Sequence, residues 1–190
     1  MSGFRYLRWV MAVVLAAAWT AASADDARFV YYDVAGHTAT KLRQELDVKG
    51  PLDRNGKRFD GRTTWRLNWT YRYAPDGNGC RFTGMSASLA GTIILPRWTH
   101  SEHASHSLVK KWDGYLAALR IHEEGHYAHG VAAKREVETL GQSFRIPGDC
   151  KEIARIFNDE ASAIVARYMA LDVTYDRDTG HGETQGATFP

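Results

Sequence analysis

Apolar positions in the second half of the chain recur in steps of three and four. Leu108, Trp112, Tyr115, Leu119, His122, His126, Ala133, Val137 and Leu140 fall on one face of a helix that Ser105 or Ser107 can cap and that runs to Gly141. After the break at residues 145–148, a second stripe of Ile153, Ile156, Phe157, Ala161, Ile164 and Tyr168 predicts a helix from Cys150 to about Leu171. Asp149 and Glu152 stand at capping-box spacing, and Glu160 is placed on the inward stripe. Residues 172–190 carry no such stripe and read as a polar tail.

The first half changes period. Residues 29–34 are rich in β-formers. A short helix follows, with Thr38 as its cap and Ala39, Leu42 and Leu46 on one face, and Gly50-Pro51 stops it. Residues 53–62 are polar and glycine-bearing, which predicts a loop. Residues 63–73 then alternate, with Trp65, Leu67, Trp69, Tyr71 and Tyr73 on one side and Arg66, Asn68, Thr70 and Arg72 on the other. That aromatic stripe reads as core. A turn cluster at 75–79 leads to further alternation over 81–96, in which residues 91–95 are taken as an edge strand. The fold class is therefore α+β: a small antiparallel sheet of three or four strands packed on one long helix, with a second helix towards the C-terminus.

The first 24 residues belong to a different kind of pattern. Arg5 and Arg8 precede an apolar stretch at 9–20, and Ala22-Ser23-Ala24 is a small-x-small site. Together these predict a signal peptide cleaved after Ala24, and a periplasmic or secreted mature domain over 25–190. No later apolar run is long enough for a membrane helix, so no stable membrane insertion is expected after cleavage. Of the 24 basic residues, Arg5 and Arg8 leave with the leader, and 22 then face 22 acidic ones. A neutral mature chain is not built to bind nucleic acid through its phosphates. Cys80 and Cys150 are the two cysteines. In an oxidising compartment they are expected to form a disulfide.

Chemistry enters with His122-Glu123-Glu124-Gly125-His126, an H-E-x-x-H pentapeptide inside the long helix. Two imidazoles four residues apart reach one metal ion, and Glu123 then lies where a carboxylate takes a proton from a metal-activated water. The expectation is one Zn²⁺ per chain with Glu123 as catalytic base. Catalytic zinc takes three protein ligands, and four residues compete for the third place. His129 lies too far along a straight helix, and with Ala132 it breaks the metzincin pattern. Glu160 comes from the second helix, while His181 and Asp176 come from the tail. His100, His103 and His106 form a second cluster that reads as a solvated loop.

The pieces Tyr31-Tyr32-Asp33-Val34-Ala35-Gly36, Gly50-Pro51, residues 64–69, Leu95-Pro96-Arg97-Trp98, Trp112, residues 119–126, Cys150 and Tyr175-Asp176-x-x-Thr179-x-His181-Gly182 occur in this order. On them the chain resembles the DUF922 family of secreted proteins, which are read as zinc-dependent proteases from their H-E-x-x-H motif. The resemblance covers nearly all of residues 28–186. It implies a metalloprotease that hydrolyses a peptide or protein substrate. It favours His181 as third ligand with Asp176 orienting it, and it disfavours Glu160. Two other functions share the same residues: an exported zinc-binding or buffering protein without turnover, and a zinc amidase acting on cell-wall peptides.

Overall fold

A computed structural model describes residues 26–190 apart from 54 and 100, so the expected leader, its cleavage site and His100 lie outside the described residues. Among these residues the main elements are β1 (Arg28–Ala35), α1 (Ala39–Lys49), β2 (Arg62–Asp76), β3 (Gly79–Thr99), α2 (His106–Gln142), β4 (Arg145–Pro147) and α3 (Ile153–Thr179). No helix among them is long and apolar enough to cross a membrane. The architecture is α+β as expected, with one difference in the sheet. β2 and β3 form a long antiparallel hairpin and β4 pairs antiparallel with the start of β3, but β1 runs parallel to β3. Between β1 and β3 the chain passes through α1 and β2. A crossover of that length permits a parallel pairing that strand patterns alone do not reveal.

Residues 91–95 are also not an edge. Ile93 pairs with Phe29 on one side and with Thr63 on the other. The free edges of this region are instead β1 and β2. Trp65, Trp69 and Tyr71 pack against a buried cluster that includes Leu67, Leu89 and Phe157, so this part of the aromatic stripe is core, whereas Tyr73, beyond the register shift at Arg72, is exposed.

The long helix α2 is capped by Ser105, whose hydroxyl accepts from the Leu108 amide. Its 37 residues rise about 55 Å, enough to serve two cores in succession. Leu108, Trp112, Tyr115 and Leu119 join Val34, Leu42, Ile93 and Leu95 in one. Ala133 and Val137 join Phe82, Phe144, Ile153 and Phe157 in the other. His122, Glu123 and His126, all buried, fall between them. The H-E-x-x-H motif therefore occupies the gap between two apolar anchors, which pack its helix on both sides.

Helix α3 runs antiparallel to α2, since residues 122, 126 and 136 meet 176, 172 and 168 in turn. It starts at Ile153 and has no side-chain cap; Asp149 instead closes a turn onto the Lys151 amide. It continues to Thr179, two turns beyond the expected end. Cys80 and Cys150 are bonded, tying the approach to α3 to the first residues of β3.

Candidate metal centre

On α2 the four-residue spacing of His122 and His126 stacks their rings on one face, with Nε2 atoms 3.3 Å apart. Facing them on α3, Asp172 and Asp176 repeat the same four-residue spacing. Asp176 Oδ1 lies 3.2 Å from His122 Nε2 and 3.1 Å from His126 Nε2. These three atoms form a grouping of metal-ligand geometry; among the described residues a second consists of His126, His129 and Asp172. Two imidazoles and a carboxylate converging from two antiparallel helices make a donor set suited to a divalent ion of the zinc type.

A further set of contacts aims the rings. His126 Nδ1 faces Asp172 Oδ1 at 3.1 Å, so that its N–H donates there and Nε2 turns to the centre. Asp172 also receives His129 Nδ1 at 2.7 Å and the indole N–H of Trp65 at 2.8 Å. His122 Nδ1 donates to Gln185 Oε1 at 2.9 Å, and the Gln185 amide N–H donates in turn to the Tyr175 hydroxyl. The Tyr175 ring stacks on His122, with centroids 4.9 Å apart and planes 12° from parallel. That stacking needs Gly125: a Cβ there would stand 2.5 Å from the Tyr175 hydroxyl oxygen.

Burial alone would lower the His126 pKa, but its contacts with Asp172 and Asp176 outweigh that and raise it to about 9. Burial would raise the Asp176 carboxyl, yet the hydrogen bonds from His122 and His126 hold it well below the usual range. Glu123 goes the other way. Burial pushes its pKa up, and its Oε2 is buried with no hydrogen-bond partner among the described residues. Thr63 fixes the helix at this point by donating to the Glu123 main-chain carbonyl at 2.9 Å.

Each candidate ligand has a definite place. His122 and His126 converge as the spacing predicts. Asp176 stands in the cluster itself rather than only behind His181. His181 is half-exposed, contacts the cluster through Asp176 with Nδ1 at 3.2 Å from Oδ1, and sets its ring 5.1 Å from that of Phe59. It adopts φ 54 between Gly180 and Gly182, both also left-handed. Glu160 is a correction: its side chain is exposed, because the buried face of α3 follows Ile153, Phe157 and Ala161 and leaves position 160 beside it. It also lies 16 residues before Asp176, about 24 Å of helix rise. Of the tyrosines near the motif, Tyr127 packs against both cores and Tyr175 lies behind His122; neither lines the cleft. Asp172 and Gln185 are the residues the sequence reading missed.

The cluster opens into a cleft of about 720 Å³, walled by α2, α3, Asp53, Asn55 and residues 57–63. Neither curated proteins nor solved structures provide a match to the chain. The profile of the family described as "Bacterial protein of unknown function" matches residues 29–182, from β1 through the H-E-x-x-H helix to the glycine after His181. The chain belongs to the DUF922 family.

Proposed function

We propose that the chain is a zinc-dependent peptidase in which one Zn²⁺ is held by His122, His126 and Asp176. The observation that carries this reading is the convergence of those three donor atoms beside a buried glutamate with an unpartnered oxygen. A buried polar atom without a partner costs free energy unless a ligand or function uses it. When bound, zinc supplies a Lewis acid that acidifies water and polarises a scissile carbonyl. Glu123 takes the proton of the attacking water and hands it to the departing amine. Burial raises its pKa above the ordinary carboxylate value, which makes it a stronger base for the first half of that exchange. Asp172 and Gln185 hold the imidazoles in one tautomer, and Thr63 holds the helix segment that carries Glu123.

Action outside the cytoplasm belongs to the same proposal. The leader expected at 1–24 and a disulfide between Cys80 and Cys150 both suit an oxidising compartment.

The test is metal analysis and casein hydrolysis with purified residues 25–190. The wild type is expected to carry one zinc per chain and to cleave. Glu123→Gln is expected to keep its zinc and to lose cleavage by about 10²–10⁴-fold. A protein that holds zinc but cleaves neither casein nor a cell-wall stem peptide overturns the reading in favour of zinc storage.

A further inference from the structure

The cleft that contains His122, Glu123 and Asp176 is completed by the segment joining α1 to β2. This segment is a self-bonded wall. Leu52 bridges to Arg58, the Asp53 amide donates to the Lys57 carbonyl at 2.8 Å, and the Phe59 amide donates to the Pro51 carbonyl at 3.0 Å. Asp53 Oδ1 accepts the amides of Asn55 and Lys57, both at 2.8 Å. At Gly61 the wall touches the site itself, since a Cβ there would stand 2.6 Å from Glu123 Oε1.

Three cations line the cleft: Lys57 and Arg58 of this segment, and Arg62 where it enters β2. Each is held in place by a neutral group. Arg58 donates to the Gly50 carbonyl, Arg62 to the Leu52 carbonyl, and the Lys57 ammonium sits 4.7 Å from the centre of the Phe59 ring. Among the described residues none of the three has a carboxylate within ion-pair distance. A guanidinium has five N–H donors, and each of these tethers uses one. The nearby carboxylates, by contrast, are already engaged. Asp60 receives Arg43 on both oxygens and the Tyr115 hydroxyl at 2.8 Å. Asp172 and Asp176 face histidines. Two other carboxylates of the cleft are turned away from a ligand: Asp53 Oδ1 is taken by the amides of its own turn, and Glu123 is buried at the foot of the cleft, so the charge this rim presents is that of Lys57, Arg58 and Arg62.

The geometry points to an anion-recognition wall: the substrate of this cleft is a peptide that carries a carboxylate close to the bond to be cut, and Lys57, Arg58 and Arg62 receive that carboxylate. This deepens the peptidase reading and rests on it. The carboxylate has two sources, an Asp or Glu side chain or a free C-terminus. Both meet the same cations, and complementary charge of this kind acts on capture and selectivity.

The test uses zinc-loaded Glu123→Gln protein, so that binding is read without turnover. Fluorescence anisotropy is measured with three labelled decapeptides: one with two central Glu and an amidated end, its Gln counterpart with an amidated end, and that Gln peptide with a free end. At low salt the wall is expected to favour at least one carboxylate peptide over the amidated Gln peptide by about tenfold, and which one names the source. Added Lys57→Gln and Arg62→Gln changes are expected to remove that preference and leave the neutral peptide unaffected. Lys57→Gln alone touches no main-chain tether, so its fold is not at risk, and it is expected to cost about threefold. Equal binding of all three peptides, or a preference that survives these changes, overturns the wall. A wild type that cleaves casein while its Glu123→Gln form binds the three alike keeps the peptidase and loses only this inference. Preferential carboxylate binding without any cleavage keeps the wall and removes the peptidase.

Discussion

His126 Nδ1 lies 3.1 Å from Asp172 Oδ1, and the same carboxylate takes the Trp65 indole and the His129 ring. Three donors from β2 and α2 thus fix one acceptor on α3. The acceptor in turn fixes the tautomer in which His126 offers Nε2 to the centre. Asp172→Ala is expected to weaken zinc binding by about 10–100-fold, measured by competition with a chromophoric chelator, with the fold retained by circular dichroism. Unchanged affinity would mean that the ring needs no such support.

Asp176 and His181 divide the roles that the tail motif left open. Asp176 Oδ1 stands within 3.2 Å of both motif Nε2 atoms, whereas His181 reaches the cluster through Asp176. Asp176→Ala is therefore expected to cost more than about 100-fold in zinc affinity, above the usual loss for a supporting residue, and His181→Ala less than about tenfold. The opposite order in the same chelator titration would return the third place to His181.

Much of this site was legible in the chain, and the unread part has a physical cause. The stripe of α2 continues through His122 and His126 without a change of period, so the inward direction of both rings followed from spacing. The far end of α3 escaped because apolar periodicity was the signal being read, and it stops at Tyr168. Beyond it the inward face is Asp172, Tyr175, Asp176 and Thr179, polar because it meets the histidines, yet still in steps of three and four. A helix that ends at a cluster of histidines and carboxylates loses its hydrophobic signature where the cluster begins. The Asp172–Asp176 spacing, matching His122–His126, was the available clue. The parallel pairing of β1 is different in kind: strand direction depends on how the crossover is routed, and no local pattern encodes it.

Raising the pH should weaken the protein stripped of metal by a chelator. The His126 pKa is raised from 6.5 to about 9, so its stabilisation is fully present below 6.5 and is lost as the pH rises through 9. The side chain is only 11% exposed, so solvent screens the effect little, and the loss is on the order of 3 kcal/mol. Urea unfolding of the stripped protein is expected to shift to lower midpoints across that window. With zinc present the dependence should largely disappear, because the ion takes the place of the proton at Nε2. A flat profile in the stripped protein would contradict the raised pKa.

The disulfide tests whether the metal centre depends on distant anchoring. Cys80 and Cys150 close a separation of 70 residues, worth about 4 kcal/mol in the chain-entropy model. The paired Cys80→Ser and Cys150→Ser changes are thus expected to lower the melting temperature by about 10 °C. Yet the bond lies before the start of α3, and Asp172 sits about 30 Å of helix rise further on. Between them Ile153, Phe157 and Ala161 remain buried against Phe82 and Val137, so the helix keeps its register without the bond. Zinc affinity at 25 °C is expected to stay within about threefold of the wild type, since sites without shared partners contribute independently. A concurrent loss of zinc would show that the packing of α3 cannot hold Asp172 and Asp176 opposite the histidines unaided, and the centre would then depend on the redox state of its compartment.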